Sequence, residues 1–85
     1  MADMERLAYG NYKGESFTIW QFPYAYRDVK GIDYMIDIYP ETMANVSEAE
    51  IDALENKYSD RLDFYSETFG SLDACYRFLM NRNAI

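Results

Sequence analysis

From Ile32 to Tyr39 the chain alternates Ile32, Tyr34, Ile36 and Ile38 with Asp33, Met35, Asp37 and Tyr39. An extended backbone sends successive side chains to opposite faces, so this period of two predicts a half-buried β-strand and commits the chain to a sheet. Phe17-Thr18-Ile19-Trp20-Gln21-Phe22 is rich in β-branched and aromatic residues and predicts a second strand beside it. Asp28-Val29-Lys30-Gly31 has an acid first and a glycine last, which suits the turn between the two. Upstream, Lys13-Gly14 turns a first strand, about Glu5 to Tyr12, back onto the second. Pro23 has no N–H for a ladder, so the second strand is expected to be bulged or unpaired there.

Pro40 closes the strand region. Ser47-Glu48-Ala49-Glu50 then reads as a capping box that opens a helix. Apolar residues at Ile51, Leu54, Tyr58, Leu62, Tyr65 and Phe69 follow in steps of three and four, the spacing of one buried helical face. Gly70 stops this helix, Ser71 caps another, and Leu72, Cys75, Tyr76 and Leu79 repeat the spacing. The segment 62–69 also holds enough aromatics to be a fourth strand, with helix the favoured reading. The fold class is therefore α+β: a three-stranded antiparallel sheet followed by two helices, with helices on one face, or with a fourth strand at about 62–69. Phe17 or Trp20, Ile36, Ile38, Leu54, Leu62, Leu72 and Leu79 are expected in one core.

Residues 1–85 make a single domain, because a chain this short has no room for a second core. Its one cysteine, Cys75, excludes an intrachain disulfide and suits a reducing, cytoplasmic setting. Cys75 and Trp20 read as core residues. No apolar run is long enough to span a bilayer, and the N-terminus lacks the pattern of a signal peptide.

The absence of histidine removes the commonest general base, and there is no phosphate loop, calcium loop or zinc-ligand set. No cofactor, no metal and no catalysis are expected. Two carboxylates one helical turn or four strand residues apart, such as Asp60 with Asp63 or Asp33 with Asp37, lack the further ligands a hard cation needs.

Charge says more. The formal net charge is −7; residues 1–40 carry six acids and four bases, and residues 41–85 nine acids and four bases. Such a surface disfavours nucleic acid and anionic lipid and favours a basic partner. On a helix over 48–66, Asp52, Asn56, Asp60 and Asp63 face away from the apolar stripe, and Glu67 continues their line. This acidic ridge carries Phe64 on its outer side. Asp33 and Asp37 extend the negative surface if the polar face of the third strand stays open. Ordinary solubilisation of a surface explains the same charges. Nine tyrosines and five phenylalanines, however, exceed what a small core readily hides, and tyrosine is a favoured contact residue. The expected partner-binding set is Asp33, Asp37, Asp52, Asp60, Asp63, Phe64 and Glu67.

In size, acidity and aromatic content the whole chain resembles the small inhibitors that phages encode against CRISPR effectors and restriction enzymes, some of which imitate nucleic acid with carboxylates. The resemblance is one of composition and rests on no motif. It implies a non-catalytic, stoichiometric inhibitor in the host cytoplasm that occupies the phosphate-binding surface of a basic, nucleic-acid-binding protein. The alternative is a regulatory or adaptor module, of antitoxin type, that binds through an open sheet edge or an aromatic face.

Overall fold

The computed structural model describes residues 4–60 and 64–82. Three strands come first: β1 (Glu5–Tyr12), β2 (Glu15–Tyr26) and β3 (Val29–Tyr39). Helix α1 (Glu48–Tyr58), strand β4 (Tyr65–Phe69) and helix α2 (Leu72–Asn81) complete the chain. The sheet is antiparallel throughout, in the order β1-β2-β3-β4. The fold is α+β, and the segment after α1 is the fourth strand.

Two-residue turns join the first three strands. Lys13 (φ 51°) and Gly14 (φ 86°) both take the left-handed backbone of a hairpin turn whose twist matches the strands. The β2–β3 turn is Arg27-Asp28, two residues earlier than the Val29-Lys30 centre of the expected turn, and Tyr26 pairs with Val29 across it. Gly31 sits inside β3 instead, where the Tyr24 ring lies over it so closely that a Cβ would come within 2.7 Å of ring atoms. Pro23 is neither bulged nor unpaired: it faces Ile32 in an unbroken register from Ser16–Tyr39 to Tyr26–Val29.

The helices lie on opposite faces of the sheet, not on one. Ile36 and Ile38 of β3 point, with Ile19 of β2, toward Cys75 and Leu79 of α2, while Phe17, Tyr34, Phe69, Leu72 and Phe78 pack around them. Tyr39 points the other way and joins Met43, Ile51, Leu54 and Tyr58 in a second cluster under α1. The apolar residues thus form two cores, because the end of β3 is buried on both sides: Asp37 and Tyr39 are buried as well as Ile36 and Ile38. α1 packs mainly over β1 and β2, and α2 over β3 and β4 on the far side.

The helix after Ser47 is shorter than its apolar spacing suggested, ending at Tyr58. Ile51, Leu54 and Tyr58 are buried as expected, whereas Tyr65 and Phe69 belong to β4. Leu62 lies outside the described residues. In 64–69, the aromatic and β-branched residues suit a pleated surface, and pairing with β3 satisfies their backbone. Phe64 packs inward against Tyr39, with ring centroids 5.5 Å apart, so it does not stand on an outer helical surface.

Both helix caps form. Ser47 Oγ accepts from the Glu50 N–H at 3.2 Å, and Ser71 Oγ from the Ala74 N–H at 3.1 Å. Glu50 reaches back to the N–H of Asn45, rather than that of Ser47, at 3.4 Å. The loop before α1 is pinned by Asn11, whose side chain donates to the Met43 carbonyl and accepts from its N–H. Buried Ser16 donates to the Glu41 carbonyl at 2.6 Å. Cys75 is fully buried, and burial pushes its thiol pKa up to about 11, which suits a packing role and not a reactive one.

Candidate partner-binding face

β2 and β3 outrun their neighbours. The last β1 partner of β2 is Gln21, and the last β4 partner of β3 is Tyr34. Residues 22–26 and 29–33 therefore project as a two-stranded arm, about 17 Å long at the usual rise per strand residue. It contributes to the elongation of the molecule, 43 Å along its longest axis against 22 Å along its shortest.

The arm is apolar on its surface. Tyr24, Tyr26, Val29 and Ile32 are between 39 % and 65 % exposed. Alternation along β2 places Trp20, Phe22, Tyr24 and Tyr26 in one row, and this row shares the α1 face of the sheet with Tyr9 and Tyr39. Asp33, opposite Phe22, stands half-buried at the base of the arm on the same face.

At that base Arg6 ties the sheet to α1. Its guanidinium lies 4.5 Å from the centre of the Trp20 ring and donates to Asp52 and Glu55 at 2.7 Å each, with Glu48 at 3.7 Å. Only 11 % of the Arg6 side chain is exposed. Burial alone would lower its pKa, but Asp52 and Glu55 outweigh that effect and hold it protonated. Three carboxylates around one cation leave an excess of negative charge on α1 beside the aromatic row. Glu55 is raised above the ordinary carboxylate range by burial, with Arg6 opposing the shift.

The expected acidic ridge does not form. Asp52 is exposed but engaged by Arg6. Asp60 is exposed in the turn after α1, and Asp63 lies outside the described residues. Glu67 is exposed on β4 opposite Ile36, so it points to the α2 face, where it accepts from the Tyr65 hydroxyl at 3.2 Å. Asp37 is buried instead of lying on an open strand face, and burial raises its pKa against the hydrogen bonds from Ser66 and Trp20. The ridge fails because the helix that would align these acids stops at Tyr58.

Missing from the expected set were Arg6, Glu48, Glu55, Trp20, Phe22, Tyr24 and Tyr26. The four aromatics at every second position from 20 to 26 were a usable signal, obscured by the expectation that β2 is bulged or unpaired at Pro23. Trp20 is half-buried under Arg6 and so is not a full core residue.

On the α2 face, Phe69, Ala74, Arg77, Phe78, Asn81 and Arg82 line an open depression of about 460 Å³. Its cations are engaged: Arg82 makes a two-pronged contact with Glu15 at 3.0 and 3.2 Å, and Arg77 sits 3.4 Å from Asp73. Among the described residues, no three His, Cys, Asp or Glu side chains converge as a metal-ligand set. No helix among them is long and apolar enough to cross a membrane.

No family model matches this chain, and no curated protein or solved structure proved significantly similar to it.

Proposed function

We propose that this domain is a non-catalytic, protein-binding inhibitor whose contact surface is the aromatic face of the β-arm together with the acidic border of α1. The observation that carries the reading is the row Trp20, Phe22, Tyr24 and Tyr26 on a hairpin that projects past both neighbouring strands. Tyrosine-rich projecting surfaces offer apolar area at low cost in side-chain entropy. The carboxylates of Glu48, Asp52 and Glu55 beside the row, in a chain of net charge −7, favour a basic partner and speed its approach. The partner class is a basic, nucleic-acid-binding protein such as a CRISPR effector or a restriction enzyme, whose phosphate-binding surface the domain occludes. Imitation of nucleic acid is partial, with aromatic packing contributing beside the charge.

A panel of restriction enzymes and RNA-guided nucleases tests this by plasmid cleavage. The expected result is near-stoichiometric inhibition of a member, weakened by salt and by Tyr24→Ala with Tyr26→Ala. Binding that ignores salt would instead support an adaptor or antitoxin-type module, which the exposed apolar residues Val29 and Ile32 favour. Inhibition at protein concentrations far below the nuclease's, or its loss with EDTA when the nuclease itself needs no metal, would overturn the non-catalytic reading.

A further inference from the structure

The arm has two long edges, and they are not equivalent. In a two-residue hairpin the residues flanking the turn exchange both backbone hydrogen bonds, so Tyr26–Val29 and, alternating along the register, Tyr24–Gly31 and Phe22–Asp33 are the hydrogen-bonded pairs. Pro23 and Ile32 form the intervening pair, whose backbone groups point out of the arm. That is why a proline interrupts nothing in β2. It also removes a donor from the β2 edge, the usual way of blunting an edge strand. The β3 edge has no such block. There the N–H and C=O groups of Lys30 and Ile32 point toward the line of β4, which ends opposite Tyr34.

We infer that an extended segment of a basic partner adds to this β3 edge as a further strand, with Lys or Arg at alternate positions and β-branched apolar residues between them. The inference rests on the reading of the arm as the partner-binding surface. Charge complementarity selects the sequence. On the α1 face, a side chain beside Gly31 meets the Tyr24 ring, and one beside Asp33 meets a carboxylate with no ion-pair partner among the described residues; both suit a cation. On the α2 face the intervening side chains meet Ile32, 49 % exposed, and the aliphatic stem of Lys30. Main-chain hydrogen bonds supply affinity and the alternating side chains supply specificity.

The probe is a nine-residue peptide of alternating Lys and Val, blocked at both ends, followed by amide hydrogen exchange on the whole protein. Expected is a slowing of exchange at Lys30 and Ile32 by roughly tenfold or more, and none with the matching Glu-Val peptide. Ile32→Pro removes the outward donor but leaves the β2–β3 ladder intact, so it should melt as a folded protein and lose the peptide. If that variant does not fold, the same peptide with every internal backbone nitrogen methylated, which leaves neither edge able to donate, tests wild-type protein and should not bind. Peptide bound equally well after either change, with Tyr24 and Tyr26 still perturbed, would overturn strand addition while leaving the arm as the binding face. No perturbation of arm or α1 would remove both. Protection of Lys30 and Ile32 that rises with protein concentration alone would assign the edge to a second copy and overturn the basic partner.

Discussion

Replacing Arg6 by methionine keeps an unbranched apolar stem over Trp20 and removes the cation on which α1 and the sheet converge. Glu55 loses a charge-assisted hydrogen bond at a partly buried site, worth about 1.5–3 kcal/mol. The Asp52 and Glu48 contacts are solvent-exposed and add roughly 0–1 kcal/mol between them. The stack on Trp20 contributes about 0.5–1 kcal/mol. Against this, the buried Arg6 Nε has no hydrogen-bond partner, and its removal returns about 1 kcal/mol. The net expectation at neutral pH is a loss of about 1–4 kcal/mol, a large share of the roughly 4–13 kcal/mol of a domain this size. Thermal unfolding followed by circular dichroism should show Tm lower by roughly 5–20 °C. The deficit should also depend on pH. Without Arg6 the folded-state pKa of Glu55 rises further above its unfolded value, so the added penalty is absent at low pH and grows as pH rises through that pKa. A deficit below about 1 kcal/mol, or one that is flat between pH 4 and pH 8, would refute the clasp.

Other consequences can be measured on the same footing. Burial raises the Asp37 pKa, so wild type loses stability as pH climbs from the unfolded value toward the folded one; Asp37→Asn should gain on wild type across that window, by no more than about 1.4 kcal/mol per pH unit, and a constant difference from pH 3 to 8 would contradict it. Arg27 holds a left-handed backbone at φ 56°, so Arg27→Gly should raise urea-melt stability by about 0.5–1 kcal/mol, and a loss would mean that the tip is not strained. Ser47→Ala removes the α1 cap and should cost about 1 kcal/mol, with unchanged stability counting against the cap. Ile36→Asp places a charge in a fully buried site and should abolish the cooperative melt, since its cost of several kcal/mol rivals the whole stability.

Much of the candidate site was legible in principle. A row of aromatics at positions 20, 22, 24 and 26 has the strand period, and a proline is compatible with it wherever its nitrogen faces away from the neighbour. The two-residue turn at Arg27-Asp28 was hidden because arginine seldom takes positive φ, whereas Gly31, the residue that advertised a turn, serves as the bed for the Tyr24 ring. The acids were harder to place. Whether a carboxylate is free or engaged depends on a cation distant in sequence, and Arg6 meets Asp52 and Glu55 across separations of 46 and 49 residues.

By itself the sequence determined what is local: the period of two in β3, the serine caps, the Lys13-Gly14 turn and the buried stripe Ile51, Leu54 and Tyr58, each arising from neighbours a few bonds apart. Tertiary structure decided the state of residues 64–69, whose spacing fits a helix face and whose composition fits a strand, because the backbone partners that settle the choice belong to β3. It also decided the faces. Ile36 and Ile38 needed one helix and Tyr39 another, and a period of two cannot reveal that both sides of the strand are covered. Asp37 followed from that: a residue read as polar surface became buried once α1 and β4 enclosed its side of the sheet, and its charge state became a property of the fold.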